Sequence, residues 1–372
     1  MQFLLKYLLF FIVLTVVFSL INLTIYFSFL RLFKITNEKT LSFFAWSLWV
    51  VSLSFVFLSI LGNFYENFVT RNLYFASALI FGLLGYIFLT LVFGFIVLGL
   101  IKLLGYNLNY RYFGIFILSL GIIITTYSFW NSYQIKIKKI SIPIPNLSNY
   151  WIDKKVVQIS DIHLGQIRRL DFLENIVTKV DEINPEIIFI TGDLFDGSDG
   201  DLSIYIDSLN KLNAPRGVYF ITGNHEQYLG IDKALGILNK TKIKVLNDEA
   251  VLINGLQIIG LSYKNNDTGK EIQKSILESK NYTKGVPTIL LDHVPFGVYD
   301  AANSGVNLML SGHTHKGQIF PFNYITNLIY NGFDYGLHKI DNFYIYTSSG
   351  IGTWGPPLRS GSSPEIVEIN IH

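Results

Sequence analysis

The chain has 372 residues, half of them hydrophobic, with 29 basic against 27 acidic side chains and no cysteine. Disulfides and thiolate metal sites are therefore excluded, while nothing follows about the compartment. The net charge of +2 hides two different polymers: residues 1–139 carry ten basic and two acidic side chains, net +8, and the remainder carries −6. Length suggests about two or three domains, and this asymmetry makes one of them lipid-solvated and the other water-soluble.

Residues 1–133 read as an all-α membrane domain. Four long apolar runs, 7–30, 41–64, 73–101 and 112–132, each exceed the roughly 20 helical residues that span a hydrocarbon core of about 30 Å. A secretory signal would stop after one shorter apolar stretch with a small-residue cleavage site, and no such break follows the first run. Aromatic residues such as Trp46, Trp49, Tyr65, Tyr106, Tyr112 and Trp130 gather near run ends, as amphipathic rings do at headgroups. No run carries an ionisable residue in its middle, so an anchor is expected and not an ion pathway. Four crossings put the amino terminus and the soluble part on one side. Lys6, Arg71, Lys136, Lys138 and Lys139 flank that side, and Arg31, Lys34, Lys39, Lys102 and Arg111 flank the other. The positive-inside count ties, and the terminal amine tips it towards a cytoplasmic soluble domain.

Residues 134–150 read as a linker, with an Ile-Lys-Ile-Lys-Lys alternation followed by Pro143 and Pro145. From residue 151 onward, short apolar runs of strand length alternate with amphipathic helical stretches. The runs 156–160, 187–191, 218–222, 288–291 and 308–310 are each followed at once by a polar motif. Between the first two, Leu170, Leu173, Ile176, Val177 and Val180 recur at helical spacing up to Asn184-Pro185. Residues 231–240 and 271–280 read as further helices. Asn254-Gly255 between apolar runs signals a two-residue hairpin. This order implies α/β layering with some antiparallel pairing.

The polar motifs hold five of the seven histidines: Asp161-Ile162-His163, Gly192-Asp193, Gly223-Asn224-His225-Glu226, His293, and Gly312-His313-Thr314-His315. They emerge at the carboxyl ends of strands, where open α/β sheets place their binding crevice. Carboxylate oxygen and imidazole nitrogen suit divalent ions such as manganese, iron or zinc. A pair of such ions about 3.5–4 Å apart holds both a water nucleophile and phosphoryl oxygens. Each motif alone is weak, since a lone Asp-x-His is more often a surface pair; five in one register point to a metal centre.

These five motifs, in this order, resemble the calcineurin-like metallophosphoesterase superfamily over nearly all of residues 151–372. The closing stretch from Tyr346 to Thr353, with Pro356-Pro357-Leu358-Arg359 and Pro364-Glu365-Ile366, resembles its membrane-associated bacterial branch. The resemblance implies an α/β/β/α domain, a two-sheet sandwich flanked by helices, in a bacterial inner or plasma membrane protein. It implies two divalent metal ions: Asp161, His163 and His315 on the first, Asn224, His293 and His313 on the second, and Asp193 bridging. His225 matches the histidine that contacts the phosphoryl group or protonates the leaving oxygen. The implied reaction is attack on phosphorus by a hydroxide bridging the ions, without a covalent phosphoenzyme.

Lys316 departs from the branch, which usually has glycine there; it either favours an anionic headgroup or faces water. Arg359 either grips a second phosphate or anchors the terminal loop. Asp292 is a candidate for orienting a ligand from outside. Asp196, Asp199 and Asp201 read as an acidic solvated loop, because no EF-hand glutamate follows. His338 and His372 read as ordinary surface or packing residues. The expected substrate is a phosphoester or pyrophosphate, lipid-linked or nucleotide-linked, with the bilayer as partner. A nuclease-like phosphodiesterase is disfavoured because the soluble part lacks a basic surface. A non-catalytic membrane sensor or scaffold is the reading from a different class.

Overall fold

The computed structural model describes residues 2–197, 200–264 and 271–372. The chain divides into two compact units, Met1–Trp130 with Gly355–Leu358, and Asn131–Trp354 with Arg359–His372.

The first unit is built on four helices, α1 (Gln2–Phe33), α2 (Glu38–Phe64), α3 (Phe68–Leu103) and α4 (Tyr110–Asn131). All four are long and apolar enough to cross a membrane. Asn37 and Asn67 cap α2 and α3 by accepting backbone N–H groups of their first turns, which satisfies donors that the helix leaves open. Ile25, Leu32, Leu48, Leu84, Leu91 and Ile117 form the shared interior. Many other large apolar side chains, Phe57 and Phe93 among them, face outward, the opposite of a water-soluble bundle.

The second unit contains two six-stranded sheets. The strands are β1 (Lys136–Ile142), β2 (Lys155–Ile159), β3 (Ile187–Thr191), β4 (Val218–Ile221), β5 (Lys244–Val245), β6 (Glu249–Ile253), β7 (Leu256–Gly260), β8 (Thr288–Leu291), β9 (Leu308–Ser311), β10 (Gly336–Ile340), β11 (Phe343–Thr347) and β12 (Glu365–Ile371). One sheet runs β1-β12-β2-β3-β4-β5 and the other β10-β11-β9-β8-β7-β6. Strands β2, β3 and β4 are parallel, as are β7, β8 and β9, whereas β6–β7 and β10–β11 are antiparallel.

Val156, Phe189, Ile221, Ile258, Ile289 and Leu310 are wholly buried between the sheets. On the outer face of the first sheet, α5 (Leu170–Ile183), α6 (Ile206–Lys211) and α8 (Ile231–Leu238) cover Val157, Ile188 and Phe220. On the outer face of the second, α9 (Ile272–Glu278) and α10 (Val298–Asn303) cover Ile259, Leu290 and Met309. The layering is α/β/β/α, as the resemblance implied. Because the inner strands are covered on both faces, they read as continuous apolar runs. The short helix α7 (Asn224–Leu229) follows β4, and α11 (Phe322–Ile329) follows β9.

The segment 134–150 is not simply a connector. Its Ile-Lys alternation forms β1, which pairs in parallel with β12 along seven residues and buries Ile140 and Ile142. Lys136, Lys138 and Lys139 are all exposed, and Lys139 lies on the strand face opposite Ile140 and Ile142.

Candidate metal centre

The polar motifs sit where parallel strands end. Asp161 and His163 follow β2, Asp193 follows β3, Asn224 and His225 open α7 after β4, His293 follows β8, and His313 and His315 follow β9. The structure brings all eight together, apart from one another only by side-chain contact distances.

Asp161, His163 and His315 present ligand atoms within 4.8 Å of one another, as do Asp193, His293 and His313. His163, Asp193 and His225 form a third such group, so Asp193 belongs to two of the three. Its Oδ2 lies 3.2 Å from His293 Nε2 and 3.9 Å from His163 Nε2. Asn224 Oδ1 lies 3.1 Å from His293 Nε2 and 2.8 Å from His313 Nδ1. His163 Nε2 and His315 Nε2 are 3.0 Å apart, and Asp161 Oδ1 lies 3.5 Å from the latter.

The donor chemistry tests whether cations fit. His293 Nδ1 donates to the Thr191 carbonyl at 2.8 Å, so its Nε2 is the nitrogen aimed at Asp193 and Asn224. Nε2, two oxygens and His313 Nδ1 thus converge with lone pairs facing one another, which only a proton or a cation between them relieves. Asp161 Oδ2 is buried without a hydrogen-bond partner, an arrangement that costs about 1–3 kcal/mol or more when charged. Both observations fit divalent ions. His315 adds a condition: its Nδ1 is 3.0 Å from Arg359 Nη2, and a guanidinium only donates. Nε2 of the neutral ring then carries the proton shared with His163, and an ion held there must displace it.

Electrostatics of the cluster follow from burial and crowding. Burial pushes the Asp161 carboxyl up, and Asp193 adds to this while His293 and His163 oppose it. Asp193 is held far below the carboxylate range because His293 and His163 outweigh its burial. Burial opposes charging of His293, yet Asp193 and Asp161 raise it to about 10. Burial and the charge of His293 lower His313 to about 3, and burial with His163 and Arg359 takes His315 well below the usual value. The last two are therefore neutral, as a ligand must be. His225 is lowered by burial and by His163. Its Nδ1 donates to the Asp196 carbonyl at 3.0 Å, and its amide donates to Asp193 Oδ1 at 2.9 Å.

The motif glycines are explained by approach distance. A Cβ on Gly223 would stand 2.2 Å from Asp193 Oδ1, and one on Gly312 would stand 2.0 Å from Ser160 Oγ and 2.3 Å from Asp161 Oδ2. The backbone itself forms the wall behind the carboxylates.

Several supporting residues escaped the sequence reading. Glu226 is wholly buried; its carboxylate accepts the amides of Gly223 at 2.7 Å and of Asp193 and Phe195 at 3.1 Å. Burial and Asp193 raise it to about 7. Its place three residues after Gly223 matches a capping box, the one signal available. Asp196 is not merely solvated: its Oδ1 lies 3.4 Å from His163 Nδ1. Asp201 caps a short turn through Ser203, and Asp199 lies outside the described residues. Arg359 is buried and donates to the carbonyls of Gly352 and Ser349 and to Ser362 Oγ. It anchors the terminal loop behind His315. The Lys316 ammonium sits 4.2 Å from the centre of the Tyr335 ring. Asp292 is buried with its amide on the Leu310 carbonyl. His338 meets the Tyr335 carbonyl and His372 meets Ser141, both away from the cluster.

Residues 154–317 match the family model described as calcineurin-like phosphoesterase. A metallophosphoesterase of Campylobacter jejuni is 35% identical over 76% of this chain and 77% of its own. One from Aquifex aeolicus is 33% identical over 68% of this chain and 97% of its own. A bovine protein described as a transmembrane protein with metallophosphoesterase domain is 32% identical over 62% of this chain and 55% of its own. The chain belongs to the calcineurin-like metallophosphoesterases and is a phosphoester hydrolase.

Proposed function

We propose that this protein is a membrane-anchored hydrolase that uses two divalent ions, of the manganese, iron or zinc kind, to cleave a phosphoester or pyrophosphate bond. A lipid-linked or nucleotide-linked substrate is favoured. The observation that carries the reading is the carboxylate of Asp193, whose ligand atom is shared between one group containing His163 and another containing His293 and His313. Asp161, His163 and His315 would hold one ion and Asn224, His293 and His313 the other, with Asp193 between them. Such ions, when bound, acidify water towards neutrality and draw charge from the phosphoryl oxygens.

The chain's own residues do the remainder. With Nδ1 committed to the Asp196 carbonyl, His225 has Nε2 as the ring atom that holds or passes a proton, suited to the leaving oxygen. Glu226 fixes the backbone of Gly223, Asp193 and Phe195 together, so a ligand and the proton-bearing histidine keep their spacing. The four helices supply the anchor, and a tag-accessibility assay of the carboxyl terminus in intact cells tests the cytoplasmic placement. A nucleic acid substrate is disfavoured by the net −6 of residues 140–372.

The deciding experiment is turnover of an aryl phosphodiester by the full chain with added manganese. Asp193→Ala and His225→Ala should each abolish it. Tight binding of metal without turnover of any lipid or nucleotide phosphoester would instead support the scaffold reading.

A further inference from the structure

Helix α11 is amphipathic in the opposite sense to a helix on a soluble surface. At about 100° per residue, Phe322, Tyr324, Ile325, Leu328 and Ile329 fall on one half and Asn323, Thr326, Asn327 and Tyr330 on the other. The polar half makes the contacts to the domain. Thr326 Oγ1 and Asn327 Nδ2 donate to the Asp334 carboxylate at 3.0 and 2.8 Å. Asp334 is buried, and its carbonyl accepts from Thr314 Oγ1 at 2.6 Å, between His313 and His315. The apolar half faces outward: Leu328 is 79% exposed, Tyr324 63% and Ile329 55%, and Phe320 just before the helix is 52%. No residue of α11 is buried.

Scattered exposed apolar residues are ordinary, but a contiguous face of this kind marks an interaction surface. Its composition narrows the occupant. The helix has no charged residue, is rich in aromatic and branched side chains, and is preceded by the cation Lys316, the combination that suits the boundary between acyl chains and anionic headgroups. A bilayer is also the apolar phase that this chain carries helices to span. The helix ends beside the metal centre, for the Tyr330 ring lies 6.2 Å from that of His313 and 5.0 Å from that of Phe296.

We propose that α11 and Phe320 seat in the headgroup–acyl boundary of the bilayer, so that the metal centre opens at the lipid surface. This rests on the membrane reading above and not on the identity of the substrate. The absence of cysteine allows a clean test with single-cysteine variants of the full chain, labelled with an environment-sensitive fluorophore. They are placed one copy per nanodisc of phosphatidylcholine and phosphatidylglycerol. Leu328→Cys reads α11, Val50→Cys reads α2 within the proposed span, and Leu277→Cys reads an exposed apolar position on α9.

The labels at 50 and 328 should show blue-shifted emission and lose quenching by iodide, and the label at 277 should do neither. A label at 328 that behaves like that at 277, while 50 is shielded, overturns this inference alone. Exposure of both 50 and 328 overturns the membrane reading along with it. Shielding of 328 only in discs holding two copies would assign the face to a second copy of the chain and likewise overturn the proposal.

Discussion

Five of the candidate ligands hold the backbone in the left-handed region: Asp161 at φ 52°, His163 at 53°, Asp193 at 50°, His313 at 70° and His315 at 49°. Such conformations cost on the order of 1–3 kcal/mol each and persist where the surroundings over-determine them. Each follows a strand end, so the sharp reversal turns a side chain back into the crevice. Side-chain function and backbone tolerance are therefore separable at Asp193. Asp193→Asn and Asp193→Val should both lose turnover by at least on the order of 10²-fold. Asparagine tolerates the left-handed region and a β-branched residue does not. The valine variant should therefore unfold with about 1–3 kcal/mol less stability than the asparagine variant in denaturant titrations with chelator present. At Arg359 the structure favours the anchor over the headgroup grip. Arg359→Met strips partners from the buried Ser349 and Gly352 carbonyls, at about 1–3 kcal/mol per group. It should lower Tm while leaving KM for the substrate unchanged in the folded fraction; a raised KM with unchanged Tm would restore the grip.

Between elements, one polar cluster ties the starts of three strands. Glu186, just before β3, accepts from the Tyr150 hydroxyl and pairs with Lys154 at 3.3 Å and with Arg216, just before β4, at 3.3 Å. Burial pushes Glu186 up, but Tyr150, Lys154 and Arg216 together hold it below the usual carboxylate value. The unfolded chain therefore binds more protons than the folded one just below that value. The stabilisation is complete above the ordinary carboxylate pKa and is lost as pH falls through the lowered one. Glu186→Gln should lower the urea midpoint at pH 7, and the two proteins should converge as the pH falls below the lowered value. The legible elements were those with a local signature. Strands β2, β3, β4, β8 and β9 were visible as apolar runs because both faces are covered, and β6–β7 through Asn254-Gly255. Strand β1 was masked because its partner, β12, lies more than two hundred residues away and only that pairing turns an Ile-Lys alternation into a strand. Helix α11 illustrates a deeper limit: periodicity shows that one face is apolar, not which face looks inward. That choice is made by Asp334, whose hydrogen bonds to Thr326 and Asn327 no spacing rule announces. Likewise the ligand types were legible in the motifs, whereas Glu226 was signalled only by its capping-box spacing from Gly223 and the contact of Asp196 with His163 had no local signature.

For the whole molecule, charge and metal are linked. Asp161 and Asp193 interact unfavourably inside a buried cluster, the former driven up by burial and by the latter, a repulsion that cations between them relieve. Whatever binds the folded state and not the unfolded one stabilises it, by about 2.7 kcal/mol for one site at a hundred times its Kd. For a domain of this size that corresponds to a rise in Tm of about 5–10 °C per site. Chelation of the full chain in detergent should thus abolish turnover and lower the Tm of the soluble part, and readdition of manganese or zinc should restore both. Asp193→Asn should blunt the metal-induced rise, because the shared ligand contributes to both sites. A rise of the same size in that variant would mean that the ions bind elsewhere, and the assignment of the strand-end motifs as one dinuclear centre would fall.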